Sequence, residues 1–215
     1  MKEQDQMNTK ERLVRAGVKL FSKYGYAETS TRMIATEAGV NLSAIAFHYT
    51  NKENLYKTCL DYMVEKIRAY YSPSCQEIED VFARGEMTEE MAWKYLERLI
   101  DLQLEAALGK KYRTTLELVY REESGPEGAR PLTSEVFTRQ EGVMGRLLQV
   151  IANLPEDRAK VASRFINGSI ISFGEHKSLI APYIDEQHKG NGAKWLREQI
   201  KANCLAMARG LKEES

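Results

Sequence analysis

Apolar side chains recur at intervals of three and four residues along almost the whole chain of 215 residues, and the alternation typical of β-strands is scarce. The first periodic stretch follows Asn8, with Glu11 three residues later, a pattern typical of a helix start. Gly25 is a natural residue to end this helix. Because Pro and Gly also separate the later periodic stretches, the sequence predicts an all-α protein.

Caps and breaks divide the rest of the chain into further helices. Ser30 can cap a short second helix, Gly39 makes a tight turn, and Asn51 can cap a longer fourth helix that ends at Ser72-Pro73-Ser74. We expect residues 1–56 to form one domain and residues 57–215 a larger second domain, linked by the fourth helix. The helices predicted after the first are 31–38, 42–49, 52–71, 74–84, 88–108, 111–123, 131–152, 156–180 and 192–212, with a loop from Pro182 to Gly192.

The composition is that of an ordinary water-soluble protein, with 43% apolar and 29% charged residues. No apolar run approaches the roughly 18 residues of a membrane span, and the N-terminal "MKEQDQMNTKER" lacks the apolar segment of a secretion signal. Three cysteines (Cys59, Cys75 and Cys204) lie far apart without metal-ligand spacing, which indicates reduced thiols. We therefore predict a cytoplasmic protein with no membrane partner.

The distribution of charge is more informative than its total. Lys and Arg number 31 and Asp and Glu number 31, and a net charge of zero weakly disfavours a dedicated nucleic-acid protein. Residues 1–57, however, hold nine basic and six acidic residues, so the excess of positive charge lies at the N-terminus. This asymmetry has the sign expected of a DNA-facing N-terminal region on an acidic body.

Three segments in order carry a family resemblance: a first helix ending in "FSKYGY", then "TSTRMIATEAGV", then "HYTNKENLY". Across residues 9–56 the chain resembles the DNA-binding domain of TetR-family transcriptional regulators. "GVNLSAIAFH" and the later "LVYREESGPEG" also resemble the CecR-like subgroup of that family. The resemblance implies a three-helix helix-turn-helix domain followed by a helical domain that binds a small-molecule effector and forms a homodimer.

The third helix, "LSAIAFHY", contains no Lys or Arg, so its expected contacts with base edges are small and apolar. Ile45 and the ring of Tyr49 should pack inward. The resemblance implies phosphate contacts around this helix, and Arg32 is expected either to reach a guanine or to pair with Glu28 or Glu37. Burial of the third helix as plain core is the simpler alternative. The predicted DNA-binding residues are Ser30, Thr31, Arg32, Asn41, Leu42, Ser43, Ala44, Phe47, His48, Tyr49 and Lys52.

Polar groups on otherwise apolar helices of the second domain are the candidates for effector binding. Aromatic residues at helical spacing are more often core, and Glu117 with Arg121 four residues later is a common surface ion pair. The predicted effector-binding residues are Trp93, Leu96, Tyr112, Leu116, Glu117, Tyr120, Arg121, Phe165, Ser169, Phe173 and His176.

Two C-terminal segments, 156–180 and 192–212, combine small residues with apolar stripes and are expected to form a four-helix interface between two subunits. Burial of both helices within their own subunit is the alternative. The predicted interface residues are Ala162, Phe165, Ser169, Trp195, Leu196, Ile200, Cys204 and Met207.

The leading hypothesis is a repressor that a small molecule releases from a palindromic operator. Activation or dual regulation by the same fold is an alternative, as is a helical interaction module without DNA binding. An enzyme is disfavoured, because HExxH, GxSxG and P-loop motifs are absent from the sequence and its three histidines (His48, His176 and His188) lack metal-ligand spacing. No metal or cofactor is expected.

Overall fold

The structure of the protein, a computed structural model, describes residues 8–109 and 130–213. Within these ranges the chain forms nine helices and no strand, which confirms the predicted all-α fold class. No helix among them is long and apolar enough to span a membrane. The helices are α1 Thr9–Glu28, α2 Thr31–Ala38, α3 Ser43–Tyr49, α4 Lys52–Ala83, α5 Glu89–Leu108, α6 Arg130–Ala152, α7 Glu156–Glu175, α8 Lys177–Gln187 and α9 Gly192–Glu213.

The helix starts of the N-terminal region follow the predicted caps. Asn8 Oδ1 accepts a hydrogen bond from the amide of Glu11 at 2.9 Å, and Ser30 Oγ accepts one from the amide of Met33 at 3.2 Å. Gly25 has φ 80° and ψ 173°, which ends the regular part of α1 as expected.

The described residues up to Ala69 belong to the first of two contact units. Its core is formed by one face each of α1, α2 and α3 and by the first turns of α4, as the apolar residues spaced three and four apart predict. Phe21 is fully buried and meets the ring of Tyr56 edge-on, with ring centroids 4.7 Å apart. The buried side chains include Leu13, Leu20, Phe21, Ile34, Ala38, Ile45, Tyr49, Leu55, Cys59 and Met63.

The second unit comprises residues 70–109 and 135–213 of the described chain. In it α5 packs against α7 and α9, and α9 also packs against α8. Ion pairs join α5 and α9 along their length, with Arg197 to Glu105 and Lys201 to Asp101 each at 2.7 Å. The order of these pairs along the two helices shows that α5 and α9 run antiparallel.

The predicted break at Ser72-Pro73-Ser74 is wrong, because α4 continues through Pro73 to Ala83 and absorbs the separate helix expected at 74–84. A proline inside a helix costs about 3 kcal/mol or more. Tyr71, Cys75 and Ile78, which flank it at helical spacing, are all buried. Burial of that stripe offsets the cost of the missing hydrogen bond. The predicted domain boundary between residues 56 and 57 falls inside α4 and stays a prediction.

The single helix predicted at 156–180 is also wrong, because the chain divides there into α7 and α8. His176, at φ −106° and ψ 18°, leaves the helical region between them. The predicted loop from Pro182 to Gly192 shortens to four residues, since α8 runs through Pro182 to Gln187. Ile184 is buried and holds this helix against its unit. The helix predicted at 111–123 lies outside the described residues.

Candidate nucleic-acid interface

The turn between α2 and α3 is fixed by Gly39 and by a contact from α1. Gly39 adopts the left-handed conformation at φ 63°, and its amide donates to the carbonyls at the end of α2. Arg12 Nη2 donates to the carbonyl of Gly39 at 2.9 Å. A Cβ at Gly39 would lie 2.8 Å from that guanidinium nitrogen, so both the backbone angle and the space favour glycine. The α2–turn–α3 segment is therefore anchored on α1.

The short helix α3 has one buried face and one projecting face. Ile45 and Tyr49 lie in the core, and the Tyr49 hydroxyl donates to the carbonyl of Lys10 at 2.9 Å. Burial raises the pKa of Tyr49 to about 12, with a smaller contribution from Cys59. On the other face Phe47 is 84% exposed and Leu42 is also exposed. A large apolar ring that stays in water on a three-helix unit is a candidate contact for another molecule.

Asn41 and Ser43 form a local hydrogen-bonded pair at the start of α3. Asn41 Oδ1 accepts from the Ser43 amide and lies 3.0 Å from the Ser43 hydroxyl oxygen as well. Because a carbonyl oxygen only accepts, the Ser43 hydroxyl must donate its proton to Asn41 in this arrangement. The Ser43 oxygen therefore presents lone pairs, and not a proton, to whatever lies outside α3.

Lys52, in the first turn of α4, binds groups of its own unit. Its ammonium donates to the carbonyl of Tyr26 at 3.0 Å and to that of Thr29 at 3.1 Å, and lies 4.1 Å from the centre of the Tyr26 ring. Thr29 is fully buried, and its hydroxyl donates to the carbonyl of Gly25 at 2.7 Å. This cluster holds the end of α1 and the start of α4 together. Two of the three ammonium donors are thus occupied within the protein.

The predicted DNA-binding residues all fall within 30–52, at the start of α2, along α3 and at the start of α4. Ser30, Arg32, Asn41, Leu42, Ser43 and Phe47 are exposed; Thr31, Ala44, His48 and Lys52 are half-buried; Tyr49 is buried. The inward position of Ile45 and the Tyr49 ring is confirmed. Contact with DNA stays a prediction for each of them. Sequence reasoning missed Arg12 and Thr29, because no local pattern signals hydrogen bonds to residues 27 and 23 positions away, Gly39 and Lys52 respectively.

The predicted effector-binding residues that the structure describes do not share one environment. Leu96 is fully buried, Trp93, Ser169 and Phe173 are half-buried, and His176 is exposed. Phe165 is 70% exposed. Effector binding stays a prediction for each of these residues. The remaining members, Tyr112, Leu116, Glu117, Tyr120 and Arg121, lie outside the described residues.

The predicted dimer stripe on α9 is partly wrong. Leu196, Ile200 and Cys204 are buried within their own unit, where α9 packs on α5 and α8, so they are not available to a partner. Trp195 is half-buried and stacks on His188, with ring centroids 4.2 Å apart. Periodicity identified a real apolar stripe, but a single sequence does not say which partner covers it.

A different face of α7 and α9 remains open. The two helices border an apolar groove of about 550 Å³. Val161, Phe165 and Met207 line it and are exposed, and Ala162, another predicted interface residue, is half-buried beside them. Ser169 is half-buried on α7, where its hydroxyl donates to the carbonyl of Phe165 at 2.6 Å. Ala162, Phe165 and Met207 thus stay in the predicted interface.

Known proteins share both the helix-turn-helix region and the overall fold. The family model "Bacterial regulatory proteins, tetR family" matches residues 13–59. The chain is 36% identical over 75 residues to the HTH-type transcriptional dual regulator CecR of Shigella flexneri, a match that covers 35% of this chain and 33% of that protein. The similarity therefore spans only about a third of the length of this relative.

Two solved structures extend the likeness to most of the chain, at the level of the fold. A transcriptional regulator of the TerR/AcrR family from Aquifex aeolicus VF5 superposes with a TM-score of 0.57 at 19% identity, over 93% of this chain and 99% of that one. The transcriptional regulator FadR from Bacillus subtilis, in complex with stearoyl-CoA, gives 0.52 at 17% identity, over 94% and 95%.

The helix-turn-helix geometry, the family match and the shared fold agree. Residues 13–59 match the tetR family of bacterial regulatory proteins, and the solved structures share the fold of most of the chain. Membership of the whole chain in that family, and in its CecR-like subgroup, stays a prediction.

Proposed function

We propose that the protein is a homodimeric repressor that binds a palindromic operator and leaves it when a small-molecule effector binds. The observation that carries the proposal is the projecting face of α3, where Phe47 is 84% exposed beside Leu42 and Ser43 on a helix without Lys, Arg, Asp or Glu. Such a face has no positive charge with which to bind a phosphate. It suits the floor of the major groove, where thymine methyl groups and base-edge donors lie.

Each exposed group on this face matches a different base feature. Phe47 and Leu42 can contact thymine methyl groups, since both are apolar and project from α3. Ser43, whose proton is held by Asn41, can accept from the amino group of adenine or cytosine. The backbone contacts would come from the frame around α3, which includes Ser30, Thr31 and His48, because phosphate contacts position a protein without reading sequence.

A second copy of the chain is the expected occupant of the groove between α7 and α9. Val161, Phe165 and Met207 expose apolar surface there, and a palindromic operator needs two α3 helices related by a two-fold axis. Association of two grooves would bury these side chains and supply that symmetry.

Effector control is the third part of the proposal. The FadR structure contains stearoyl-CoA, and this chain shares its fold. An effector that releases the repressor must bind the DNA-incompetent state more tightly than the competent state, because equal affinity shifts no population. CecR is described as a dual regulator, so activation at some promoters is the second candidate. A reporter assay on each target promoter, with and without the gene for this protein, separates repression from activation.

Selection of bound duplexes from a random library tests the proposed readout. We expect an inverted repeat containing thymine in each half-site. Phe47→Ala should weaken the selected duplex by roughly tenfold or more, in line with about 1–3 kcal/mol per specific base contact. Tyr24→Ala, an exposed aromatic on α1, is the matched control and should bind like the wild type.

Replacing thymine by uracil at single positions removes only the methyl group. For the wild type, uracil at one or more positions in each half-site should lower the affinity for the duplex. Phe47→Ala should bind the thymine and uracil duplexes equally well at those positions. Equal loss for both proteins at every position would reject Phe47 as a reader of thymine, and failure to enrich any duplex would reject the DNA-binding proposal itself.

A further inference from the structure

Three amide side chains lie in the core of the second unit, which is otherwise almost entirely apolar. Gln103 on α5 donates from Nε2 to Asn167 Oδ1 on α7, and both residues are buried. Gln140 on α6 is only 1% exposed. All three belong to the same contact unit. Sequence reasoning did not select them, because single Gln and Asn residues interrupt the apolar stripes without forming a motif.

The register of α6 against α7 places Gln140 close to Asn167. Arg164 on α7 pairs with Glu141 on α6 at 2.6 Å, and Gly145 on α6 faces Ala159 on α7, so the two helices run antiparallel. Asn167 lies three residues beyond Arg164, which is about one helical turn or ~5 Å along the axis. Gln140 precedes Glu141 on the facing turn. Gln140 therefore lies on the turn of α6 that faces Asn167, which is itself bonded to Gln103, and we refer to the three residues as the amide layer.

Two atoms of this layer have no hydrogen-bond partner in the structure: the acceptor Gln103 Oε1 and the donor Gln140 Nε2. Each lies on a side chain that is more than nine-tenths buried. Because more than nine in ten buried polar groups in proteins are paired, two unpaired atoms in one layer indicate a missing partner. That partner must offer one donor and one acceptor.

The layer also restricts the charge of its partner. None of the buried residues in the described part of the chain is charged. Apart from Ser163, one turn before Asn167, the buried neighbours of the amides at helical spacing, among them Leu99, Met144 and Ile170, are apolar. An ionised carboxylate or ammonium would lose its hydration there without gaining an opposite charge, which is costly. A neutral head group with both a donor and an acceptor avoids this cost.

We propose that Gln103 Oε1 and Gln140 Nε2 bind the head group of the effector and select a carboxamide or hydroxyl over a carboxylate or ammonium. An amide N–H donates to Gln103, and the amide carbonyl accepts from Gln140. Asn167 orients Gln103 through its own hydrogen bond, so Asn167 is a positioning residue. That the bound molecule is the regulatory effector rests on the proposed function; the binding site itself does not.

Four probes of matched size test the preference by isothermal titration calorimetry on the full chain without DNA: hexanamide, 2-heptanone, hexanoate and hexylammonium. Hexanamide offers both a donor and an acceptor, and the ketone offers only an acceptor. We expect hexanamide to bind at least tenfold more tightly than either charged probe and more tightly than the ketone. Equal affinity for hexanoate, or no binding of hexanamide at millimolar concentration, would overturn the proposal.

Gln103→Leu and Gln140→Leu separate a binding role from a structural one. Gln140→Leu removes an unpaired buried donor and should raise the unfolding midpoint without ligand, by roughly 2–4 °C for each kcal/mol recovered. Gln103→Leu also leaves Asn167 Oδ1 without its donor, so its midpoint should rise less or fall. The same changes should weaken hexanamide about tenfold. Gln149→Leu, a half-buried glutamine on the same helix, is the control and should leave hexanamide affinity unchanged.

A lower midpoint in both leucine variants, with hexanamide affinity unchanged, would show that ordered water completes a purely structural network, and would overturn the proposal. Failure of the proposed function looks different. If hexanamide binds wild type and the leucine variants do not, but it never alters operator binding in a gel shift, the binding site stands and its regulatory role is lost.

Discussion

Gly17 provides a sharp test of the packing in the first contact unit. It lies on the buried face of α1, opposite Cys59 of α4. A Cβ at position 17 would lie 2.7 Å from Cys59 Sγ, and Cys59 is fully buried, with its thiol 3.5 Å from the carbonyl of Val14. The sulfur therefore cannot easily move away. Gly17→Ala should push α1 and α4 apart.

Two effects of opposite sign determine the magnitude. Replacing a helical glycine by alanine favours the helix by about 0.8–1 kcal/mol. Overpacking a core by a methyl group typically costs about 1–3 kcal/mol. We expect Gly17→Ala to lower the free energy of unfolding by up to about 2 kcal/mol, a net loss where helix propensity alone predicts a gain.

A double-mutant cycle isolates the steric contact. In a Cys59→Ala background the obstructing sulfur is gone, so Gly17→Ala should become stabilising by about 0.5–1 kcal/mol. Gly142→Ala on α6, where an added Cβ meets nothing within 4 Å, is the control and should stabilise in both backgrounds. Urea unfolding followed by circular dichroism gives all the free energies. A gain for Gly17→Ala in the wild-type background would refute the packing of α1 on α4.

Other substitutions and conditions probe the remaining contacts. Phe165→Arg should give a folded monomer, as measured by circular dichroism and light scattering. Ile200→Arg, which buries a charge inside one subunit, should unfold the chain. A Phe165→Arg protein that stays dimeric would contradict the proposed interface. Lys52→Met should lower unfolding stability by about 1–3 kcal/mol, because two carbonyls lose their donor, and wild-type stability would contradict this. Burial raises the pKa of Cys75 and Cys204 to about 11. The unfolded thiols ionise first, so stability should fall as the pH rises from about 8 to 10, and less steeply in a double alanine variant; equal slopes for the two proteins would contradict a thiol origin.

Local signals made the N-terminal unit predictable from sequence. Asn8, Ser30 and Asn51 accept hydrogen bonds from amides three residues ahead, as their positions before apolar periodic stretches predict. Gly25 and Gly39 have positive φ where the sequence predicted a helix end and a turn. Each of these features depends on a few neighbouring residues, and such features can be identified in one sequence.

The second unit was harder to predict because its decisive interactions are not local. Pro73 and Pro182 look like helix breaks, but buried neighbours on each helix outweigh the lost hydrogen bond. The apolar stripe that includes Ile200 is buried against other helices of the same subunit, whereas Phe165 is exposed. The amide layer with Gln103 forms only when residues 64 positions apart meet. Periodicity identifies an apolar face and does not identify what covers it.

Counting the chains bound to DNA tests most directly whether a dimer of this protein reads DNA through α3. Native mass spectrometry of the protein with a selected inverted repeat, and with a single half-site of the same length, measures the stoichiometry of each complex. We expect two chains on the inverted repeat and much weaker binding to the half-site. Phe47→Ala should weaken both complexes by roughly tenfold or more while the protein remains a dimer. A single chain bound equally well to either duplex, or full binding by Phe47→Ala, would contradict a dimeric regulator that reads DNA through α3.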